Sequence, residues 1–186
     1  MGTLANREST DMPDLIDAIR RRSSVRKYTG DSISEESIHL LVQAANCAPS
    51  ASNAYAWMIA VVQEPRMLEK IHAISPGILG EPAAVLVFCI DRSEALRLGG
   101  NAGRDLHSVM DIAHAAQNVC LQATELGIGS VCVMSFNHAA AATLLDLPAS
   151  VTADYVIALG YPEGSAQPRR KRTVEDSIIS WWKEQG

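Results

Sequence analysis

Two short, nearly continuous apolar segments constrain the fold more than any other feature of this sequence. Residues 57–62 read Trp-Met-Ile-Ala-Val-Val, and residues 83–90 read Ala-Ala-Val-Leu-Val-Phe-Cys-Ile. Segments of this length that are rich in β-branched and aromatic residues favour strands, and their unbroken apolar character favours strands covered on both faces. We therefore expect a central sheet with other elements packed against both of its sides.

Segments with helical periodicity alternate with strands along the chain. The pattern predicts helices over residues 12–21, from the N-cap Ser34 to a point before Pro49, from Pro65 onward, over about 105–126 and near 139–145, with further strands over 130–135 and 155–159. The helix at 105–126 is apolar on almost every side, and we expect Leu106, Val109 and Met110 among its inward residues. Such a helix is either central or part of an interface. The predicted fold class is α/β (α+β), with helices flanking a central sheet.

Length and composition indicate one domain. A chain of 186 residues with 47% hydrophobic residues can bury a core without disulfides or metals. The sequence has no apolar run of membrane-spanning length and no secretory leader pattern. We predict a cytoplasmic protein with a flexible tail over residues 1–10 and a single domain over residues 11–186. Its four cysteines, which lie in apolar surroundings without C-x-x-C spacing, are predicted to be reduced core residues.

Positive charge is concentrated although the chain is acidic. The formal net charge of −5 argues against nucleic acid or an anionic membrane as a partner. Nine of the sixteen Lys and Arg residues lie in two blocks, at 20–27 and 169–172. In the first block, guanidinium groups stand beside two adjacent hydroxyls, a set that suits a phosphate. A solvated basic helix end is the alternative interpretation.

The polar loop before the first apolar segment is a second candidate site. Pro49, Ser50, Ala51 and Asn53 could offer hydrogen bonds to a flat ligand, or could form an ordinary connection between a helix and a strand. Other chemistries find little support. The five histidines form no recognisable metal set, and the sequence has no nucleophile elbow and no phosphate-binding P-loop.

Taken in order, these features resemble the FMN-dependent nitroreductase family. The resemblance rests on the arginine–serine block, the Pro-Ser-x-x-Asn loop before Trp57, the small-residue helix that ends at Gly127, the Leu159-Gly160-Tyr161-Pro162 turn and the second basic block. Each element is weak alone, but their order and spacing are specific. The resemblance covers about residues 12–182.

The resemblance implies a homodimer that binds FMN at the subunit interface. The residues that match the family's phosphate-binding motif are Arg22, Ser23, Ser24 and Arg26, with Lys171 or Arg172 closing over the same phosphate. The loop that usually reaches the flavin from the partner subunit is matched by Pro49, Ser50, Ala51 and Asn53. The segment whose backbone amides lie against the flavin's N5 and O4 edge is matched by Val133, Met134 and Ser135.

The resemblance also implies an activity. NADH or NADPH would reduce the flavin and leave, and a nitroaromatic, quinone or related electrophilic acceptor would then take the electrons, in a ping-pong sequence. The family also contains reductive dehalogenases, flavin-processing enzymes and oxidases, and a non-catalytic FMN-binding sensor is a further alternative. No side chain is expected to act as a nucleophile or a general acid, and no metal is expected.

Two departures from the family pattern bear on the site. Tyr55-Ala56 stands where the family commonly has Gln-Pro, so Tyr55 is expected to wall the substrate pocket. Some members carry a lysine near the flavin pyrimidine just ahead of the second strand, but residues 75–80 contain no cation. Arg66 and Arg104 are the candidate replacements, and the sequence does not choose between them.

Overall fold

A four-stranded antiparallel sheet forms the centre of the computed structural model, which describes residues 15–164 and 172–180. The strands are β1 (Trp57–Val62), β2 (Ala84–Asp91), β3 (Gly129–Val133) and β4 (Val151–Gly160), in the order β1-β2-β4-β3. The helices are α1 (Leu15–Arg21), α2 (Glu35–Asn46), α3 (Pro65–Ala73), α4 (Arg92–Ala102), α5 (Ser108–Glu125) and α6 (His138–Leu144). The predicted tail at residues 1–10 and the basic residues 169–171 lie outside the described residues.

Both faces of β2 are covered, as its apolar sequence predicts. Alternate side chains of a strand point to opposite faces, and those of β2 divide between two buried clusters. Leu86 packs in one cluster with Leu41 of α2 and Val119 of α5. Val87 packs in the other cluster with Ile71 of α3. The prediction of a sheet flanked by helices is confirmed.

Strand β1 lies at an edge of the sheet and differs from the prediction. Met58 and Val61 are exposed, so the first apolar segment is covered less completely than the second. The order of the strands explains this difference, because β1 pairs with β2 on one side only within the described residues. Continuous apolarity alone cannot separate an edge strand from a central one.

Local signals at the helix ends are confirmed. The Ser34 hydroxyl accepts a hydrogen bond from the Ser37 backbone N–H at 3.2 Å, which caps α2. Ile33 and Ile38 on either side of that cap are both buried, as a hydrophobic staple requires. Gly127 follows α5 with a φ of +70°, a conformation that favours glycine.

The long helix differs from the prediction in its start and in its first buried residues. A π-helical segment, Gly103–His107, precedes α5, and α4 is an additional helix that the sequence pattern did not predict. Leu106, Val109 and Met110 were expected to point inward, but all three are exposed. Farther along α5, Ala116 is almost completely buried in the core of its own chain. Ala116 is therefore not available to an interface with another subunit, whereas the exposed apolar residues at 106–110 remain candidates for one.

The predicted strand limits and cysteine positions need two corrections. Strand β3 ends at Val133 rather than at residue 135, and β4 begins at Val151 rather than at residue 155. Cys89 and Cys120 are buried as predicted, but Cys47 and Cys132 are exposed, so the core prediction is wrong for two of the four cysteines. In the described part of the chain, no helix is both long enough and apolar enough to cross a membrane.

Candidate functional site

The segment after α1 lies along the outer edge of β3. Ser24 pairs with Ser130 in a parallel bridge, and the Val25 backbone N–H donates to the Ser130 carbonyl at 3.0 Å. A Cβ on Gly129 would lie 2.7 Å from the Cβ of Val25, closer than real contacts allow. Glycine at position 129 therefore allows the arginine–serine block to approach the start of β3.

The Gly160-Tyr161-Pro162 turn packs against the same segment. Thr29 donates its backbone N–H to the Tyr161 carbonyl at 2.9 Å, and the Tyr28 hydroxyl donates to the Val25 carbonyl at 2.9 Å. A Cβ on Gly160 would lie 2.6 Å from the Tyr28 ring. Burial raises the pKa of Tyr28 to about 12, which keeps the phenol protonated and able to donate at neutral pH. The turn and the first basic block thus form one packed unit.

The cations of the first block have different roles. Arg21 forms ion pairs with Asp17 at 2.9 Å and with Glu125 at the end of α5, so it holds α1 against α5. Arg22 and Arg26 are half-buried instead. Among the described residues, none forms a hydrogen bond or ion pair with the side chains of Arg22, Ser23, Ser24 or Arg26. Two guanidinium groups and two hydroxyls therefore stand near the β3 edge without a described protein acceptor.

The other end of β3 meets the loop that connects α3 to β2. Gly77 donates its backbone N–H to the Ser135 carbonyl at 3.2 Å, and a Cβ on Gly77 would lie 2.5 Å from the Ser135 hydroxyl. Val133 is buried, whereas Met134 is 63% exposed. Ser75 is completely buried, and its hydroxyl has no hydrogen-bond partner among the described residues. This end of the strand combines the exposed Met134 with a buried hydroxyl that has no partner in the described part of the chain.

The two ends of β3 are separated by a distance that suits an elongated ligand. Ser130 and Met134 are four residues apart in extended chain, which corresponds to about 13 Å. Cationic and hydroxyl side chains lie at one end, and the exposed Met134 lies at the other. The arrangement fits a ligand that has a phosphate at one end and a flat hydrogen-bonding ring at the other.

The Pro49–Asn53 loop lies elsewhere in the same chain, beside the start of α5. The Asp111 carboxyl group, which is 5% exposed, accepts a hydrogen bond from the Ala51 backbone N–H at 3.0 Å. The Ser50 hydroxyl accepts one from the Tyr55 backbone N–H at 3.1 Å. A cleft of about 260 Å³ adjoins the loop, and its lining is Pro49, Ser50, Ala51, His107, Met110, Asp111 and His114. The described contacts of the loop are therefore with α4, α5 and the segment between them.

The loop backbone is held in an uncommon conformation. Ser52, Asn53 and Tyr55 have φ values of 53°, 55° and 45°, in the left-handed region that side chains other than glycine rarely adopt. Such strain persists only where surrounding contacts enforce it, and it is frequent in ligand-binding loops. The Tyr55 side chain is 43% exposed and available to a ligand or a second subunit.

The sequence pattern alone assigns no role to Asp111, because a carboxylate on a helix usually faces solvent. A signal was present, because Asp111 lies four residues before Ala115 and falls on the same buried stripe of α5. The hydrogen bond by which Asp111 holds Ala51 joins residues that are sixty positions apart in the sequence. Helical spacing alone could not have identified that partner.

Arg66 and Arg104 are the candidate replacements for the flavin-side lysine that some family members carry. Neither contacts the loop at residues 75–80 among the described residues. Arg104 forms an ion pair with Asp105 at 2.6 Å in the segment before α5. Arg66 is exposed near the start of α3, about 10 Å along the axis from the last turn of that helix, where the loop begins. Lys171 lies outside the described residues, and Arg172 is exposed and donates to the Asp176 carbonyl.

A pair of cysteine thiols lies beside the arginine–serine block. The Sγ atoms of Cys120 on α5 and Cys132 on β3 are 3.6 Å apart. Hydrogen bonds from the Cys120 thiol and the Tyr155 hydroxyl, with the charge of Arg22 nearby, lower the pKa of Cys132 to about 6. The hydrogen bond to Cys132 and burial raise the pKa of Cys120. Sequence reasoning missed this pair, because twelve residues separate its members. Among the described residues, no cluster of three or more potential metal ligands is present.

The fold is that of a mixed α/β protein, and two guanidinium groups and two hydroxyls lie at the β3 edge of its antiparallel sheet. The family model described as the nitroreductase family matches residues 19–77 and 75–161. A putative NADH dehydrogenase/NAD(P)H nitroreductase of Methanothermobacter thermautotrophicus is 33% identical over 156 residues, covering 80% of this chain and 78% of the relative. The chain belongs to the nitroreductase family.

Two further comparisons agree with that membership. The NADPH-flavin oxidoreductase of Vibrio harveyi is 27% identical over 161 residues, covering 82% of this chain and 67% of the relative. The crystal structure of a putative NADH dehydrogenase/NAD(P)H nitroreductase from Parabacteroides distasonis matches with a TM-score of 0.77 and 26% identity, covering 90% of this chain and 98% of that one. The predicted family and the mixed fold class are thus both confirmed.

Proposed function

We propose that this chain is an FMN-dependent NAD(P)H oxidoreductase that reduces nitroaromatic, quinone or related electrophilic acceptors in a ping-pong sequence. The observation that carries the proposal is the β3 edge, which has two guanidinium groups and two hydroxyls without a described acceptor at one end and the exposed Met134 at the other. The names of the relatives support a nicotinamide donor and a flavin.

The phosphate end of the site would be formed by Arg22, Ser23, Ser24 and Arg26. Guanidinium groups and hydroxyls form charge-assisted hydrogen bonds with phosphate oxygens, each stronger than a bond between neutral groups. The bridge between Ser24 and Ser130 fixes the position of these donors against the sheet. Lys171 or Arg172 would supply a further cation from the C-terminal side.

The ring end would be formed by the backbone at Val133, Met134 and Ser135. Contact with Gly77 holds this segment in place, and the buried Ser75 hydroxyl, two residues before Gly77, has no partner among the described residues. A buried polar group without a partner is costly, so a ligand or water that reaches it would be stabilising. When bound, FMN would supply the hydride chemistry, while the chain orients it and limits access of water.

We also propose that the site is completed in a homodimer. The Pro49–Asn53 loop would approach the flavin from the second subunit, with Tyr55 at the wall of the substrate pocket. Met110 lines the cleft beside this loop, and the exposed Leu106, Val109 and Met110 offer an apolar surface that a second copy would cover. Ala116, near the middle of α5, is buried within its own chain and would not be part of this surface.

The visible absorption spectrum of the purified protein tests the cofactor. We expect a flavin spectrum, release of FMN on denaturation, and binding of added FMN with loss of flavin fluorescence. Arg26→Ala should weaken FMN binding about 10-fold to 100-fold, since a hydrogen bond to a charged group contributes about 1.5–3 kcal/mol. Arg97→Ala is the control, because Arg97 forms an exposed pair with Glu94 on α4. A colourless protein that does not take up FMN would contradict the proposal.

Steady-state kinetics test the activity. Initial rates at several concentrations of NAD(P)H and of a quinone should give the parallel double-reciprocal lines of a ping-pong sequence. Consumption of NAD(P)H should require the acceptor. If FMN binds but no acceptor supports turnover, the chain would instead be a non-catalytic FMN-binding module.

A further inference from the structure

We propose that Cys120 and Cys132 form a redox-active dithiol, which hydrogen peroxide converts into an intramolecular disulfide. The two Sγ atoms are 3.6 Å apart, whereas a disulfide bond is about 2.05 Å long, so an approach of about 1.6 Å is needed. Cys132 is on the exposed edge strand, and Cys120 is buried on α5 behind it. One thiol is therefore open to a small oxidant, while its partner is in place to react next.

Three elements shape the reactivity of Cys132. Cys120 from α5 and Tyr155 from β4 both donate hydrogen bonds to its sulfur, and the positive charge of Arg22 acts from the segment after α1. These groups stabilise the thiolate and lower the pKa of Cys132 to about 6. A larger fraction of Cys132 than of an ordinary thiol is then ionised at neutral pH. The thiolate is the nucleophilic form of cysteine, so Cys132 is the residue that attacks the oxidant.

The reaction balances with hydrogen peroxide as the only oxidant. The Cys132 thiolate attacks one peroxide oxygen, the O–O bond breaks, and a sulfenic acid and one water form after protonation. The Cys120 sulfur then attacks the sulfenic sulfur, the S–O bond breaks, and a second water leaves. Two thiols lose two electrons and two protons in total, and one S–S bond forms. An added dithiol would reverse the reaction by thiol–disulfide exchange.

The other two cysteines lie outside this pair. Cys89 belongs to the buried cluster on the opposite face of the sheet. Cys47 is exposed at the end of α2. Peroxide should therefore link Cys120 to Cys132 specifically. The reaction needs no electron donor, and neither thiol is among the proposed FMN ligands, so the disulfide should form with or without FMN, more slowly when FMN lies over the β3 edge.

Peptide mapping tests the disulfide directly. We would treat the purified protein with one equivalent of hydrogen peroxide, block the remaining thiols with iodoacetamide, denature it and digest it with a protease that cleaves after glutamate. Cleavage after Glu125 separates the two cysteines, whereas trypsin has no site between them. We expect a loss of two thiols, an intact mass lower by about 2 Da, and a pair of peptides that are linked until dithiothreitol is added.

Variants identify the residues responsible. Cys132→Ser should leave Cys120 reduced after the same treatment, and Cys47→Ala should form the disulfide as the parent chain does. Unlinked Cys120 and Cys132 peptides in the parent protein would overturn the proposal, and this result requires no variant to fold. A disulfide that includes Cys47 would overturn it as well.

The rate of alkylation of Cys132 gives a second measurement. The rate should increase with pH around 6 and level off above about pH 7, because the thiol is then fully ionised. Tyr155→Phe keeps the ring that packs edge-to-face on Phe88 but removes the hydroxyl, so the midpoint should move to higher pH. A Cys132 rate that rises through pH 8 to 9, as for an ordinary thiol, would overturn the proposed reactivity.

Discussion

Replacing Asp111 with alanine should loosen the Pro49–Asn53 loop and destabilise the protein. The carboxyl group of Asp111 is 5% exposed and accepts a hydrogen bond from the Ala51 backbone N–H at 3.0 Å. A hydrogen bond that involves a charged group contributes about 1.5–3 kcal/mol to stability. For a chain of this size, 1 kcal/mol corresponds to about 2–4 °C in Tm. The expected decrease in Tm for Asp111→Ala is therefore roughly 3–12 °C.

Asp111→Asn separates the effect of the charge from that of the hydrogen bond. Asparagine keeps an oxygen acceptor of similar shape, and a neutral hydrogen bond contributes about 0.5–1.5 kcal/mol. We expect the decrease in the free energy of unfolding to be about half of that for alanine. Urea denaturation at one fixed protein concentration measures all the variants, because the stability of a dimer depends on concentration.

Asp105→Ala is the matched control for this series. Asp105 forms an exposed pair with its neighbour Arg104 in the segment before α5, and such pairs contribute at most about 1 kcal/mol. If Asp111→Ala is no less stable than Asp105→Ala, the carboxyl group does not anchor the loop and our reasoning is wrong. Under the proposed function, Asp111→Ala should also weaken FMN binding, because the loop would contact the flavin.

Three further predictions concern the β3 edge. Gly129→Ala should lower the free energy of unfolding by about 1–3 kcal/mol, because the new Cβ would lie 2.7–2.8 Å from three Val25 side-chain atoms. Gly99→Ala is the control, because a Cβ there would meet no atom within 4 Å. Equal midpoints of urea denaturation for the two variants would contradict this prediction. The free energy of unfolding should decrease as pH rises from 10 to 12, because the pKa of the Tyr28 phenol is near 10 in the unfolded chain and near 12 in the folded protein. Urea titrations at several pH values measure this decrease, and Tyr28→Phe should remove part of it. A dependence of the free energy of unfolding on pH that is the same in the variant would count against this prediction. Inorganic phosphate bound at Arg22 should raise the pKa of Cys132 and so move the midpoint of its alkylation to higher pH. The shift should disappear in Arg22→Ala. If phosphate does not change the midpoint in the parent protein, the two sites do not interact.

Local sequence signals predicted much of the fold because their physical causes are themselves local. The cap at Ser34 and the apolar run of β2 each involve residues close together in the chain, and both were predicted correctly. Helix α4 was missed because Gly99 and Gly100 interrupt its pattern, and Gly100 has a φ of +63° inside the segment. The inward face of α5 was misassigned because most of its residues are small or apolar on every side, so periodicity could not orient it.

The candidate site was predictable only in part, for a related reason. The arginine–serine block was recognisable, but the sequence could not show that Arg21 holds α5 through Glu125 while Arg22 lies beside β3. The contact between Asp111 and Ala51 and the contact between the two thiols join residues from different elements. Each depends on the packing of α5 against the sheet and the loops, which no short sequence pattern encodes.

The position of β3 at one edge of the sheet connects the phosphate end, the ring end and the dithiol. Within the described residues, β3 pairs along one side with β4, and its other side is covered only where Ser24 and Val25 meet Ser130. The backbone groups of an uncovered strand edge remain free to bind another partner. Cys132 lies between the covered residue Ser130 and the exposed Met134. This position explains why Cys132 is exposed although its neighbour Cys120 is buried. A ligand that occupies the whole edge would therefore pass over Cys132, so bound FMN should slow both its alkylation and its oxidation by peroxide.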